Sequence, residues 1–338
     1  MVELRYVVGV DIGATNMRAA LADEKGIILK DVKQRTIIGK SAESITRQVV
    51  ELIKRVVGEK AGKLKAVGIG SIGPLDFRRG KLISPANIPF KEIEIARPVA
   101  EEFKVPVYML NDCTAAALGE KAFGTARNRE NFVYITLSTG IGGGAVVDGH
   151  LLIGKDGNAV EIGHMVVDFE GRLKCGCGRR GHWEAYCSGR NIPRFVEYWI
   201  EKRRKRAEGS MLIKMIKDKK LSSESLFKAA RMGDKLAMEV VDEVGRLNAI
   251  GFANVVSVYD PELITVGGGM ALDNWDLISR PILRDIGRYT INRVPEIRLT
   301  DLGEKAVLYG AVALALKPPG LMRGDRWACS RPYKDLAT

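Results

Sequence analysis

The chain carries one short unit twice: an apolar strand, a turn of small residues, and a second apolar strand. In the first copy Asp11-Ile12-Gly13-Ala14-Thr15-Asn16 lies between strands expected at 6–10 and 17–22. In the second, Ser138-Thr139-Gly140-Ile141-Gly142-Gly143-Gly144 separates strands at 132–137 and 145–147. The copies stand about 125 residues apart, and an echo at that distance predicts two related lobes facing one another. Around them the pattern predicts a helix over 44–57, strands at 66–70 and 107–110, and a helix-rich region over 190–256. A strand at 263–266 runs into Gly267-Gly268-Gly269, and a last helix over about 304–316 is stopped by Pro318-Pro319. Strands alternating with helices make this an α/β fold. The expected organisation is a small lobe over 1–115, with the 304–316 helix packing back on it, a large lobe over 116–303, and a loose basic tail over 320–338.

Of the 338 residues 46% are hydrophobic and 28% charged, an ordinary globular balance with enough chain for two cores. No stretch approaches the roughly 18 apolar residues of a membrane span. The N-terminus runs straight into a strand, which predicts a cytoplasmic protein without a signal peptide. The formal charge of +12 raises the question of nucleic acid, and Lys202-Arg203-Arg204-Lys205-Arg206 is its densest cluster. That run continues a helix-like segment bearing Phe195, Tyr198, Trp199 and Ile200, and no aromatic residue interleaves it as a base-stacking surface requires. It reads as a solvated helix face, so no nucleic-acid partner is expected. Abundant Lys, Arg and Glu, with only Gln34 and Gln48 for glutamine, match the balance of thermophilic proteins.

Converging backbone N–H groups are what phosphate oxygens need, and glycine lets the chain come close enough to supply them. Hydroxyls of Thr15, Ser138 and Thr139 would add donors. Asp11, ending an apolar strand, suits the Mg²⁺ of a Mg–nucleotide, held through water. Either turn alone has the composition of a plain hairpin loop; two in equivalent settings point to phosphate. Neither has the Lys of a P-loop. At Leu110-Asn111-Asp112-Cys113 a strand hands over to an Ala-rich helix. A carboxylate there is either a helix N-cap or a ligand-facing group at a strand's C-terminal end, able to take a proton from a hydroxyl.

The five cysteines are an odd number, which argues against a disulfide framework, and three lie within thirteen residues. His164, Cys175, Cys177 and His182 offer two imidazoles and two thiolates, the donor set of tetrahedral Zn²⁺. Four protein ligands leave no open position, so the metal would be structural. A metal-free alternative leaves them as reduced thiols and a solvated histidine. Asn87, Glu161 and Glu184 stand beside these motifs and suit a ligand rich in hydroxyls.

Together these segments resemble the ROK family of repressors, open reading frames and sugar kinases, within the actin-like ATPase superfamily, over roughly residues 6–316. The resemblance implies a two-lobed, ribonuclease H-like fold with a duplicated βββαβα core and an interlobe cleft. It implies a kinase that phosphorylates a hexose at its primary hydroxyl from Mg–ATP, with glucose or broad hexose use ahead of N-acetylhexosamine or fructose. Asp11, Gly13, Thr15 and Asn16 look like the first phosphate loop. Ser138, Thr139, Gly140 and Gly142 look like the second, and Gly267, Gly268 and Gly269 like the adenosine segment. Asp112 falls on the catalytic base, and Asn87, Asn111, Asp112, Glu161, His164 and Glu184 on the sugar contacts. A homodimer or homotetramer is implied as well. Two departures stand out. His182 replaces a customary cysteine, which leaves Cys187 as a rival fourth ligand, and Val160 stands where the family commonly has glycine. A sugar-responsive repressor of the same family would need a helix-turn-helix domain before the first loop, and only ten residues precede Asp11.

Overall fold

Apolar runs place β1 (Tyr6–Ile12) and β2 (Asn16–Asp23) close to expectation; β3 (Ile28–Arg35), which the pattern did not predict, and helix α1 (Glu43–Val57) follow. Then come β4 (Leu64–Ser71), the short β5 (Leu75–Asp76), β6 (Lys81–Ile83) and β7 (Glu92–Glu94), α2 (Ala96–Phe103), β8 (Val107–Asn111) and α3 (Asp112–Ala122). The second copy supplies β9 (Phe132–Leu137), β10 (Ile141–Val147) and β11 (His150–Leu151). Helices α4 (Glu184–Cys187), α5 (Ile192–Glu201), α6 (Met211–Lys217), α7 (Ser223–Arg231) and α8 (Lys235–Tyr259) follow. The chain ends with β12 (Leu263–Gly267), α9 (Gly269–Asp285), β13 (Glu296–Leu299) and α10 (Ala306–Leu316). This computed structural model describes residues 5–85, 88–202 and 208–322; Asn87, the basic residues Arg203 to Arg206 and the tail beyond 322 lie outside them.

Among the described residues two five-stranded sheets have the same plan, in the orders β3-β2-β1-β4-β8 and β11-β10-β9-β12-β13. In the first, β2 is antiparallel to β1 and β3, whereas β4 and β8 join parallel to β1. In the second, β11 is antiparallel to β10, and β12 runs parallel to β9 and β13. The duplication read from the turns is thus a duplication of sheet topology. The turns are shorter than composition suggested: β10 begins at Ile141, so Gly142 to Gly144 are strand residues and the second turn is Ser138 to Gly140.

Two compact units result. One holds the described residues up to 130, 144–160 and from 305 on; the other holds 131–143 and 161–304. Helix α3, expected to open the large lobe, stays with the first unit because it lies against α10. A Cβ added to Gly310 would sit 1.7 Å from Ala115 O, and one on Gly119 would sit 2.7 Å from Ala306 O. On its other side α10 rests on the sheet, where a Cβ on Gly68 would come within 2.0 Å of Ala311 O. A helix apolar all round, as Ala306–Leu316 is, must be covered on more than one face. In the second unit α8 is the central helix and packs against α4, α7 and α9. No helix among the described residues is long and apolar enough to cross a membrane.

The Gly68 contact gives a test of this packing. Gly68→Ala should lower the unfolding free energy by about 3 kcal/mol, because backbone rather than a side-chain end must give way. Gly62→Ala, with open space beside it, should be near neutral in the same denaturant titration.

Candidate functional site

In the first unit the parallel strands end together: Ile12 is in register with Ser71, and Ser71 with Asn111. Gly13 N–H donates to Asn16 O at 2.9 Å and closes the first turn, Thr36 Oγ1 donates to Gly13 O at 2.7 Å, and Thr15 is exposed at the tip. Asn111 is the N-cap of α3, its Oδ1 accepting from Cys113 N at 2.9 Å and more loosely from Thr114 N at 3.4 Å. Asp112 is therefore the first helical residue, and its carboxylate also accepts from Cys113 N at 2.8 Å. Burial raises the Asp112 pKa against the opposing pull of that N–H. Burial and then the neighbouring Asp112 push Asp11 up to about 7, despite Arg18 and Lys33. Two carboxylates pressing on one another at strand ends form an oxygen-donor site that favours a hard cation.

In the second unit the four expected metal ligands converge, with one ligand atom from each of His164, Cys175, Cys177 and His182 within 4.8 Å of every other. His164 Nδ1 lies 3.3 Å from His182 Nδ1, Cys175 Sγ 3.8 Å from His164 Nδ1, and Cys177 Sγ 3.3 Å from His182 Nδ1. Bond lengths of roughly 2.3 Å for Zn–S and 2.0–2.1 Å for Zn–N at tetrahedral angles set separations of about 3.3–3.8 Å, which these three pairs meet, and two imidazoles with two thiols have the donor chemistry of zinc. Burial, then the neighbouring His164, lowers the His182 pKa and favours the neutral imidazole that ligates a metal. Cys187, the rival ligand, is buried with its thiol on Val244 O at 3.5 Å, and burial pushes its pKa well up. It is not part of the cluster. With Nδ1 in the cluster, His164 directs Nε2 to within 3.8 Å of Glu161 Oε2.

Glu184 reaches two ways. Its Oε2 accepts from Ile141 N at 2.9 Å, at the start of β10, and its Oε1 lies 3.7 Å from Cys175 Sγ. The second turn is closed by Ser138 N–H on Gly140 O at 3.0 Å and strapped by Gly189 N on Ser138 O and Arg190 N on Thr139 O. At the end of β12, Gly268 has φ +89°, and a Cβ there would meet Leu137 O and Thr136 Oγ1 at 2.6 Å. Open space lies beside Gly269, where α9 begins without a side-chain cap. Unsatisfied N–H groups at that end suit an anionic or polar ligand. The structure thus groups Asp11, Gly13, Thr15, Asn16, Asn111 and Asp112 in one unit, and the remaining described candidates in the other.

Two supports escaped the sequence, and the backbone strain at Val160 did as well. Buried Asp168 receives Arg172 Nη2 at 2.6 Å and the Tyr186 hydroxyl, which against the upward push of burial hold its pKa down to about 2. Trp183, between His182 and Glu184, is fully buried and donates Nε1 to Asn248 Oδ1 at 2.8 Å. Val160, just before Glu161, is buried at φ +63°, a left-handed backbone that β-branched residues resist.

The ROK family profile matches residues 7–318. A glucokinase of Pyrobaculum calidifontis is 40% identical over 315 residues, covering 93% of this chain and 96% of the relative. The crystal structure of a ROK hexokinase from Thermus thermophilus superposes with a TM-score of 0.78 at 33% identity, over 92% of this chain and 97% of that one. A ROK family glucokinase from Streptomyces griseus, solved in complex with glucose and AMPPNP, gives 0.75 at 32% identity, over 92% and 99%.

The raised Asp11 pKa has a stability consequence with a defined sign. The folded chain keeps a proton that the unfolded chain releases near pH 4, so this group lowers stability as pH rises from about 4 to 7. Asp11→Asn should therefore stabilise the metal-free protein at pH 8, by on the order of 2 kcal/mol, and make little difference at pH 4. Denaturant midpoints at the two pH values check this.

Proposed function

The chain belongs to the ROK family, and from that premise we propose that it is an ATP-dependent glucokinase or broad hexokinase. The observation that carries the reading is the division of labour at Asn111-Asp112. Asn111 caps the helix end and shares the Cys113 N–H with one oxygen of Asp112, whose carboxylate, at a strand terminus and with its pKa raised by burial, offers its other oxygen to a reactant. Asp112 orients the primary hydroxyl of the sugar and takes its proton as the oxygen–phosphorus bond forms and the bond from the γ-phosphorus to the β–γ bridging oxygen breaks, ADP leaving. Asn111, Glu161, His164 and Glu184 hold the other hydroxyls, with Asn87 as a further contact. Gly13, Thr15 and Asn16, with Ser138, Thr139, Gly140 and Gly142, present backbone and hydroxyl donors to the phosphates. Gly267 to Gly269 take the adenosine. Asp11 would hold the Mg²⁺ of Mg–ATP, which when bound neutralises charge on the phosphates. His164, Cys175, Cys177 and His182 would hold zinc, whose part is to cross-link the segment carrying Glu161 and Glu184.

Asp112→Ala should lower kcat by roughly 10²–10⁴-fold, while glucose binding measured calorimetrically stays within a few-fold of wild type. Turnover near wild type in that variant would sink the assignment. The acid limb of the wild-type kcat/KM profile should also lie above the ordinary carboxylate range, since activity needs Asp112 ionised and burial raises its pKa. Elemental analysis should find one zinc per chain. His182→Ala should bind it far more weakly and melt at a lower temperature; full retention would mean that another group, such as Cys187, completes the site.

A further inference from the structure

Glu184 is placed among the sugar contacts, yet its best hydrogen bond points elsewhere. Oε2 accepts the backbone N–H of Ile141, the residue that follows Ser138-Thr139-Gly140. Gly140 is flush against the same oxygen: a Cβ there would stand 2.7 Å from Glu184 Oε2, and the carboxylate is all that it would meet within 4 Å. The base from which Glu184 reaches is firmly fixed. Its neighbour Trp183 is fully buried, donates to Asn248 Oδ1 on α8 at 2.8 Å and meets Phe252 edge-on at 5.6 Å between centroids. Three residues on, the Cys187 thiol rests on Val244 O of the same helix. Ser188 and Asn191 extend the anchorage, Asn191 Nδ2 donating to Glu184 O at 3.1 Å and to Ser188 Oγ at 2.9 Å.

We propose that Glu184 is a positioning residue for the nucleotide-binding turn, transmitting the rigidity of α8 through Trp183 to Ile141 and Gly140. A carboxylate that accepts a backbone N–H fixes where the preceding peptide units point, and those units carry the donors offered to phosphate. The Ile141 N–H is at the same time withheld from the phosphate. The remaining lone pairs of Glu184 stay open for a sugar hydroxyl, so the two duties are compatible. This inference rests on the proposal that Ser138 to Gly140 bind nucleotide.

The test is nucleotide affinity measured without sugar, by calorimetric titration of Mg–AMPPNP into wild type, Glu184→Ala, Glu184→Asp and Glu184→Gln. Alanine removes the acceptor, and aspartate is one methylene too short to reach Ile141. Both should weaken binding roughly tenfold, whereas glutamine keeps an acceptor oxygen and should stay within about twofold. A residue that served only the sugar would leave all four affinities alike, which would overturn the inference. Wild type that fails to bind Mg–AMPPNP would instead overturn the assignment of the turn itself. A double-mutant cycle covers the case in which single variants are merely unstable. Gly140→Ala should weaken binding in the wild-type background, where its Cβ strikes Oε2, and have much less effect in Glu184→Ala, where that oxygen is gone. Additive losses would count against the proposal.

Discussion

The first unit depends on how closely the backbone of α10 approaches its two neighbours. At Gly68 of β4 and Gly310 of α10 there is no room for a single added carbon, since the carbonyl of Ala311 on α10 fills the space at the first and that of Ala115 on α3 the space at the second. Contact that close lets α10, with Ala or Gly at five of its eleven positions, bury itself between the sheet and α3. It also seals the sheet beneath the strand ends. Asp11 is the one carboxylate in β1, whose other positions are buried, and it stands next to Asp112.

The same economy governs Asn111-Asp112. Both are favoured N-cap residues, and in sequence nothing separates the capping role from a chemical one. The register of β8 against β4 decides which of the two is the N-cap. The strand continues through Asn111, paired with Ser71, so Asn111 becomes the last extended residue and its side chain folds back on the N–H groups of Cys113 and Thr114. Asp112 then begins the helix, where the N-terminal end of the backbone dipole favours a negative charge. Burial works the other way and prevails.

Much of this was legible because its signals are local. Strand–turn–strand units announce themselves by apolar runs and small residues, and the duplicated sheet order followed. The metal cluster was legible because cysteine and histidine are rare here and four of them fall close together in the chain. What escaped was partnering over long separations. Trp183 finds Asn248 65 residues away, and Glu184 finds Ile141 43 residues away, with no periodicity or composition to mark either pair. Asp168 reads as an ordinary loop carboxylate until Tyr186 and Arg172 close over it. The extent of the second turn was misjudged for a related reason. Gly142 to Gly144 look like loop, but Gly144 packs against Cys113 O, where a Cβ would come within 2.3 Å, and the segment is strand.

Val160 shows which requirement ranks higher when local preference and placement conflict. A left-handed backbone at a buried β-branched residue costs about 1–3 kcal/mol and persists only where its surroundings dictate it. The constraint comes from both sides of the residue. Before it, Ala159 N donates to Ile153 O at 3.2 Å; after it, Gly163 lies against Ile141 O so closely that a Cβ would stand 2.1 Å away. Between these fixed points the chain leaves the first unit and enters the second, and it must deliver Glu161 and His164 in order, His164 N–H closing on Glu161 O at 3.1 Å. Glycine would meet that path without strain. This chain takes that left-handed path with valine, held by the fixed segments on either side of it.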